Sequence, residues 1–353
     1  MSARVCVPLP RLGSLLLCVL LVLCLWGCAS PSPLYRNSDG QVIDKPWSEV
    51  LAWMLNAWQQ GLPPPPGLYL PGGKFPVVHE SDVDQALSVD RLAITWLGHA
   101  STLIRMGGKR ILTDPHFSQR ASPVAWAGTA RSVPAPYRPD ELGHIDLVLI
   151  SHNHFDHLDE ASVRALARQP GGSPLFLVPQ GLESWFQDRG MDRVKSLGWW
   201  QATAFGPLQV HAVPAHHWSA RGLSDRHQSH WAGWVLKGEG RTVYFAGDTG
   251  YSDDFKAIGE RLGPVDLALL PVGAYEPRAF MKDQHVNPDE AVKIHQDVGA
   301  HLSIGIHWGT FALSDEPLDA PLAEVPAALA RAGLPGTAFR LLQHGQTLHM
   351  PPL

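Results

Sequence analysis

Beyond residue 28 the 353-residue chain contains no cysteine; Cys6, Cys18, Cys24 and Cys28 are the four that it has. A framework of structural disulfides across the body of the protein is therefore excluded, and the fold has to rest on a buried core. Runs of lysine and arginine are also missing, and 28 basic against 33 acidic residues leave a formal charge of −5. Retention on nucleic acid by phosphate neutralisation is correspondingly disfavoured. Only 17% of the residues are charged while 45% are hydrophobic, which excludes extended disorder and permits a substantial core. The 33 glycines and 31 prolines argue against a coiled coil and require many turns. At this length two domains or one large layered domain both fit. What is plentiful is histidine, at 18, and tryptophan, at 13.

Arg4 and Arg11 precede an apolar run from Leu15 to Trp26, followed by Gly27-Cys28-Ala29-Ser30. The run is shorter than the roughly 20 apolar residues that span a bilayer, so it reads as an export signal before it reads as an anchor. Leu25-Trp26-Gly27-Cys28 resembles the lipobox of bacterial lipoproteins, although Trp26 is bulkier than the residue usual there. The resemblance implies residues 1–27 as a signal peptide and Cys28 as an acylated amino terminus. With Ala29 in place of aspartate, it also implies an outer-membrane lipoprotein facing the periplasm. Several acyl chains on one residue would make that attachment durable.

Residues 28–90 are expected to hold an acylated tether, a short helix and a Pro-rich segment. Trp47, Val50 or Leu51, Met54 and Trp58 recur with helical spacing, and the helix must stop before Gly61 and Pro63-Pro64-Pro65-Pro66. This apolar face is expected to pack on the main domain, or else to meet a lipid at the bilayer surface. From Leu92 onward short strand-like segments follow one another at 92–97, 101–105 and 110–113, the last two joined through Gly107-Gly108. Further strands are expected at 146–150, 175–178, 208–213, 242–246, 265–270 and 302–306, with a helix at 161–168. Two similar β-rich halves are compatible with this order.

The strongest local signal is Ser151-His152-Asn153-His154-Phe155-Asp156-His157-Leu158-Asp159, directly after an apolar strand. A turn there can point His152 and His154 into one site and Asp156 and His157 into an adjacent one, and nitrogen with oxygen donors suits a two-metal centre. His217, Asp248 and His307 stand at equivalent places after later strands.

Together these residues resemble the His-x-His-x-Asp-His pattern of the metallo-β-lactamase superfamily, with its separated downstream His, Asp and His ligands. The resemblance implies a four-layer αββα sandwich over residues 91–353, preceded by the short N-terminal helical extension. It assigns His152, His154 and His217 to one metal and Asp156, His157 and His307 to the other, with Asp248 bridging. His217 is preferred over His216 because it immediately precedes Trp218. Longer blocks are similar to the N-acyl-phosphatidylethanolamine-hydrolysing phospholipase D family: Trp96 to Ser101, Leu112 to Pro115, Phe245 to Tyr251, Pro271 to Arg278 and Ile306 to Phe311.

That narrower resemblance implies hydrolysis of N-acyl-phosphatidylethanolamine or a similar membrane phospholipid to N-acylethanolamine and phosphatidic acid. Two divalent ions would activate a shared water, with Asp156 and Asp248 in the catalytic centre. Zinc is expected, with iron or manganese left open at either position. Asp114 is expected to orient a ligand imidazole, or else to cap a loop. His99 and His285 are candidates for shaping the phosphate or headgroup pocket, Tyr275 and Arg278 for fixing a loop or meeting the anionic substrate, and Trp218 and Trp308 for packing against ligands. A lactonase or other small-ester hydrolase uses the same centre, and a non-catalytic metal-stabilised envelope scaffold is the alternative of another class. No nucleic-acid partner is expected, and monomer or homodimer is left open.

Overall fold

The computed structural model describes residues 34–352, apart from 82, 84–90 and 223. Cys28 and the expected signal peptide lie outside the described residues. Helix α1 (Trp47–Gln60) comes before the first strand and ends at Gly61, which takes the left-handed conformation that a C-terminal cap favours. Strand β1 (Ala93–Gly98) turns back on β2 (Ser101–Met106), and β2 is joined to β3 (Lys109–Thr113) by Gly107-Gly108. Both glycines have positive φ, 58° and 67°, as the tight hairpin loop demands. A small hairpin of β4 (Arg120–Ala121) and β5 (Thr129–Ala130) stands apart from the main sheets. Strands β6 (Leu147–Leu149), β7 (Leu175–Pro179) and β8 (Val194–Leu197) then add in parallel, with helices α2 (Glu160–Ala167) and α3 (Glu183–Gln187) in the crossovers.

The second sheet begins with the antiparallel strands β9 (Ala202–Phe205), β10 (Leu208–Val213), β11 (Gly233–Gly238) and β12 (Arg241–Phe245). It continues in parallel through β13 (Val265–Pro271), β14 (Ala300–Ile306) and β15 (Phe339–Arg340). Helices α4 (Asp254–Leu262), α5 (Arg278–Met281), α6 (Pro288–Asp297) and α7 (Pro321–Arg331) lie along this half of the chain. Strand β16 (Thr347–His349) returns to pair with β1, so among the described residues each sheet has seven strands.

Alternation along the strands divides the core. One buried cluster joins Ile94, Trp96, Ile104 and Ile111 to Val210, Trp234 and Leu236 of the facing sheet, then runs on to Phe255 of α4, Val292 of α6 and Leu329 of α7. A second joins Leu103, Leu112, Val148 and Phe176 to Val163 and Leu166 of α2 and Phe186 of α3. Neighbours such as Leu103 and Ile104 enter different clusters, as a period of two requires. The layers are therefore helix, sheet, sheet and helix, an αββα sandwich.

Helix α1 forms where its spacing predicts but packs through another stripe. Val50, Trp53 and Ala57 are half-buried. Trp53 stacks on Phe280 with ring centroids 5.2 Å apart, and its Nε1 donates to Asp315 Oδ1 at 2.9 Å. Leu51, Met54 and Trp58 face solvent, Trp58 with 79% of its surface. Residues 34–46, expected to be tether, run along the sandwich instead: the Leu34 and Tyr35 N–H groups both donate to His227 O at 3.1 Å, and Ile43 is buried. The compact unit spans Pro33–Leu353, so it takes in the helix and the Pro-rich segment ahead of residue 91.

Candidate metal centre

Strand ends supply the site. His152 to Asp159 follow β6, His217 follows β10, Asp248 follows β12 and His307 follows β14. The loops carry unusual backbone: His99, Asp114 and His307 have positive φ of 52°, 34° and 63°, and His307 N–H donates to His99 O at 2.9 Å. Such conformations persist only where the surroundings over-determine them.

His154 Nδ1 lies 2.8 Å from His152 Nε2 and 3.3 Å from His217 Nε2, so three imidazole nitrogens converge on one point. Beside them, His157 Nε2 is 3.1 Å from His307 Nε2, and Asp156 Oδ2 is 3.2 and 3.4 Å from the same two nitrogens. Asp248 stands between the groups. Its Oδ2 is 3.0 Å from His157 Nε2, 3.9 Å from His217 and 4.0 Å from His152, while Oδ1 is 3.1 Å from His307 Nε2. His216 points elsewhere, with Nδ1 on Asp283 O at 2.7 Å and Nε2 near Asp39.

The outer hydrogen bonds fix which ring nitrogens are bare. His217 Nδ1 meets only a carbonyl, Gln284 O at 3.0 Å, so it donates, and Nε2 turns a lone pair inward. Asp114 Oδ2 accepts from His157 Nδ1 at 2.7 Å and from Ser151 Oγ at 2.5 Å, while Oδ1 accepts from Ser151 N–H at 2.7 Å. Ser151 Oγ therefore accepts from His152 Nδ1 at 2.9 Å. His152 and His217 thus present unprotonated Nε2 atoms, while His157 Nε2 faces the two carboxylates of Asp248 and Asp156 at 3.0 and 3.2 Å, which hold a proton on it well above the usual imidazole range.

Charge tells the same story. Burial pulls His154 and His217 down to about 3. Burial alone would raise Asp156 and Asp248, but His157 and its neighbours hold both carboxyls well below the usual range. Burial likewise lowers His307, yet Asp248 and Asp156 outweigh it and carry it up to about 9. Two buried carboxylates are demanding positive charge from imidazoles, the demand that a cation among inward lone pairs meets. These residues form a binuclear divalent-metal site whose donor set suits zinc or a related ion.

A β-lactamase superfamily domain matches residues 109–308. The chain belongs to the metallo-β-lactamase superfamily. Among its relatives, N-acyl-phosphatidylethanolamine-hydrolyzing phospholipase D 1 of Caenorhabditis elegans is 41% identical over 284 residues, 76% of this chain and 79% of that one. A mitochondrial enzyme of Saccharomyces cerevisiae with the same activity in its name is also 41% identical, over 229 residues covering 63% of this chain and 48% of the yeast protein. The isothiocyanate hydrolase of Delia radicum gut bacteria shares the fold, with a TM-score of 0.58 at 20% identity over 72% of this chain and 98% of that one.

The superfamily pattern left His99 and His285 without defined contacts. The structure puts His99 Nε2 on Asp156 Oδ2 at 2.9 Å, with the ring 1% exposed, so it braces a carboxylate from behind. His285 Nδ1 is 3.8 Å from Asp248 Oδ2, and burial lowers this imidazole to about 3. Arg278 fixes the loop that carries it, donating to His285 O at 2.8 Å and pairing with Glu290 at 2.7 Å. Trp308 stacks on Trp96, and Trp218 meets the His154 ring edge-on, so both pack against ligand-bearing loops.

Two supporting residues carry no motif. Arg221 Nη1 donates to Asn153 O at 2.8 Å and Leu158 O at 2.7 Å, clamping both ends of the histidine loop while its guanidinium lies 4.1 Å from the Phe155 ring centre. The buried Asn37 amide accepts from His217 N–H at 3.0 Å and Trp231 Nε1 at 3.0 Å, and donates to His217 O at 3.1 Å. Asn37→Ala strands those buried groups and is expected to weaken zinc binding about tenfold while leaving the protein folded. Chelator competition against the wild type checks this; unchanged affinity would reduce Asn37 to packing. Gly247 has a φ of 64°, and a Cβ there would meet Ser151 Cβ at 2.6 Å. Gly247→Ala is therefore expected to cost roughly 1–3 kcal/mol in urea unfolding, and a neutral result would contradict the close approach.

Proposed function

We propose that this metal-dependent hydrolase cleaves the headgroup phosphodiester of a membrane phospholipid, N-acyl-phosphatidylethanolamine or a close relative, to N-acylethanolamine and phosphatidic acid. The hydrolase part rests on the buried His and Asp centre. The lipid part rests on one observation, the resemblance over 284 residues to a worm protein named for that reaction. The Cys28 lipobox supports it by suggesting an enzyme attached where its substrate lies, on the periplasmic face of an outer membrane.

Two divalent ions at such a centre supply Lewis acidity, lowering the pKa of water and drawing off charge that builds on phosphoryl oxygen. The chain's own residues prepare that chemistry. Asp114 and Ser151 hold the His157 and His152 rings, Gln284 O holds His217, and Asp248 lies close to nitrogens of both groups. Asp156 and His285 retain side-chain exposures of 15% and 12%, which makes them the groups a bound substrate can reach. A neutral His285 imidazole can then hydrogen-bond a phosphoryl or leaving-group oxygen.

A second reading, a lactone or small ester, uses every one of these groups, and one feature favours it. The cavity beside His307, lined by Gly273, Trp308, Phe311 and Leu318 among others, has room for only about 10 Å³. That is roughly one water molecule, so no acyl-chain cavity is formed there. Mass-resolved product analysis with zinc-loaded protein and N-acyl-phosphatidylethanolamine in mixed micelles separates the two. Paired N-acylethanolamine and phosphatidic acid support the lipid reading, whereas intact lipid alongside turnover of lactones or small esters replaces it.

A further inference from the structure

We infer that α1, the Pro-rich loop behind it and the tip of the β4–β5 hairpin together form a docking surface for a lipid bilayer, one that works without charge. This inference rests on the lipid reading for its purpose, but not for its test.

The sequence around α1 is unusual for exposed structure. From Val50 to Gly73, 24 consecutive residues include no Asp, Glu, Lys, Arg or His. Within that stretch Leu51, Met54, Leu55, Trp58 and Leu68 are 50–79% exposed. A helix polar on its solvent side would keep its apolar stripe inward, but the inward stripe here is Val50, Trp53 and Ala57. The hairpin tip repeats the pattern: Ala121 to Ala130 carries no ionisable group, and Trp126 is 82% exposed.

The three elements are rooted on one segment, the chain just after the ligand His307. Trp53 donates to Asp315. Asp319 Oδ2 accepts the Gly67, Tyr69 and Leu70 N–H groups at 2.9, 2.8 and 3.0 Å. The strand leaving the hairpin bridges Arg131 to Phe311, and Ser132 N–H donates to Thr310 O at 2.8 Å. Exposed apolar projections are thus tied to the rim beside the metal centre.

The partner that fits is a bilayer. Protein partners are usually met with arginine and paired charge around the aromatic anchors; here no charged residue lies within these stretches, and the adjoining Arg120 is held on Gly128 O. Tryptophan instead suits the boundary between headgroup and acyl chain. The upstream chain agrees: only five residues lie between Cys28 and Leu34, a span of about 20 Å when extended, so an acylated Cys28 would hold a membrane near the domain. Because no cation lies within the three stretches, and the flanking Lys74 and Arg120 are isolated charges rather than a cluster, docking is expected to depend little on anionic lipid or on salt, unlike a polybasic surface.

Hydrogen exchange of the purified full-length protein, without substrate, tests this. On phosphatidylcholine vesicles, amides in 50–70 and 122–128 are expected to exchange more slowly than in the vesicle-free protein. The same protection is expected on phosphatidylglycerol and at high salt, and it should be lost in the Trp58→Ser, Trp126→Ser double variant, whose substitutions are both at the surface. Unchanged exchange on vesicles overturns the inference, as does protection that requires anionic lipid. Protection that rises with protein density at fixed lipid assigns the surface to a second copy of the chain and also overturns it. A protein that docks yet cleaves no lipid would refute the proposed reaction and leave the surface standing.

Discussion

Asp248→Ala is expected to lower zinc content from two ions per chain toward one and to cut hydrolytic turnover by about 10³-fold or more, since it removes a preorganised charge from a dry site. No other carboxylate among the described residues reaches both groups of nitrogens. Its Oδ2 is 3.0 Å from His157 Nε2 and within 4.0 Å of His152 and His217, while Oδ1 meets His307 at 3.1 Å. His152, His154 and His217 remain as three converging nitrogens, so one ion is expected to stay. Elemental analysis of the dialysed variant, with initial rates on bis(4-nitrophenyl) phosphate, reads both quantities. Two retained ions and turnover within about tenfold of wild type would show that Asp248 is not shared.

Asp114→Asn should cost about 10- to 100-fold in zinc affinity, because partners behind the ligands hold the rings that bind. The side chain keeps its size, so packing is preserved, but its charge and one acceptor are lost. Oδ2 faces two donors, His157 Nδ1 and Ser151 Oγ, and Oδ1 faces the Ser151 N–H. Whichever way the amide turns, its NH₂ points at a donor. Isothermal titration with zinc, beside thermal unfolding of the metal-free protein, separates the alternatives. A drop in metal-free stability with unchanged affinity would make Asp114 a structural cap alone.

Legibility followed sequence distance and residue type. The His152 to Asp159 cluster can be read because its donors sit within one loop directly after an apolar strand. His217, Asp248 and His307 are far apart, yet each follows a strand whose apolar run marks it. Asn37 and Arg221 were illegible for the opposite reason: they act on backbone groups, which carry no residue signature, and Asn37 lies 180 residues from the ligand it holds. Helix α1 was legible as a helix but not in its orientation. It is apolar on more than one side, and the choice fell to Trp53, whose indole N–H finds Asp315 and whose ring finds Phe280. The pairing of β16 with β1 was hidden too, because the two neighbouring strands lie 252 residues apart in sequence.

The Asn37 strut has a kinetic meaning as well. Residue 37 leaves the ribosome long before His217, so the strut exists before the loop it supports. A contact closing 180 residues is entropically late, and local hairpins and crossovers form ahead of it. By the same argument the His217 loop is expected to reach its native shape after the local hairpins and crossovers but no later than β16, which closes the first sheet on β1 across 252 residues. A folding chain would therefore pass through an interval in which most strands are paired while one arm of its ligand cradle and one edge of its first sheet are still open.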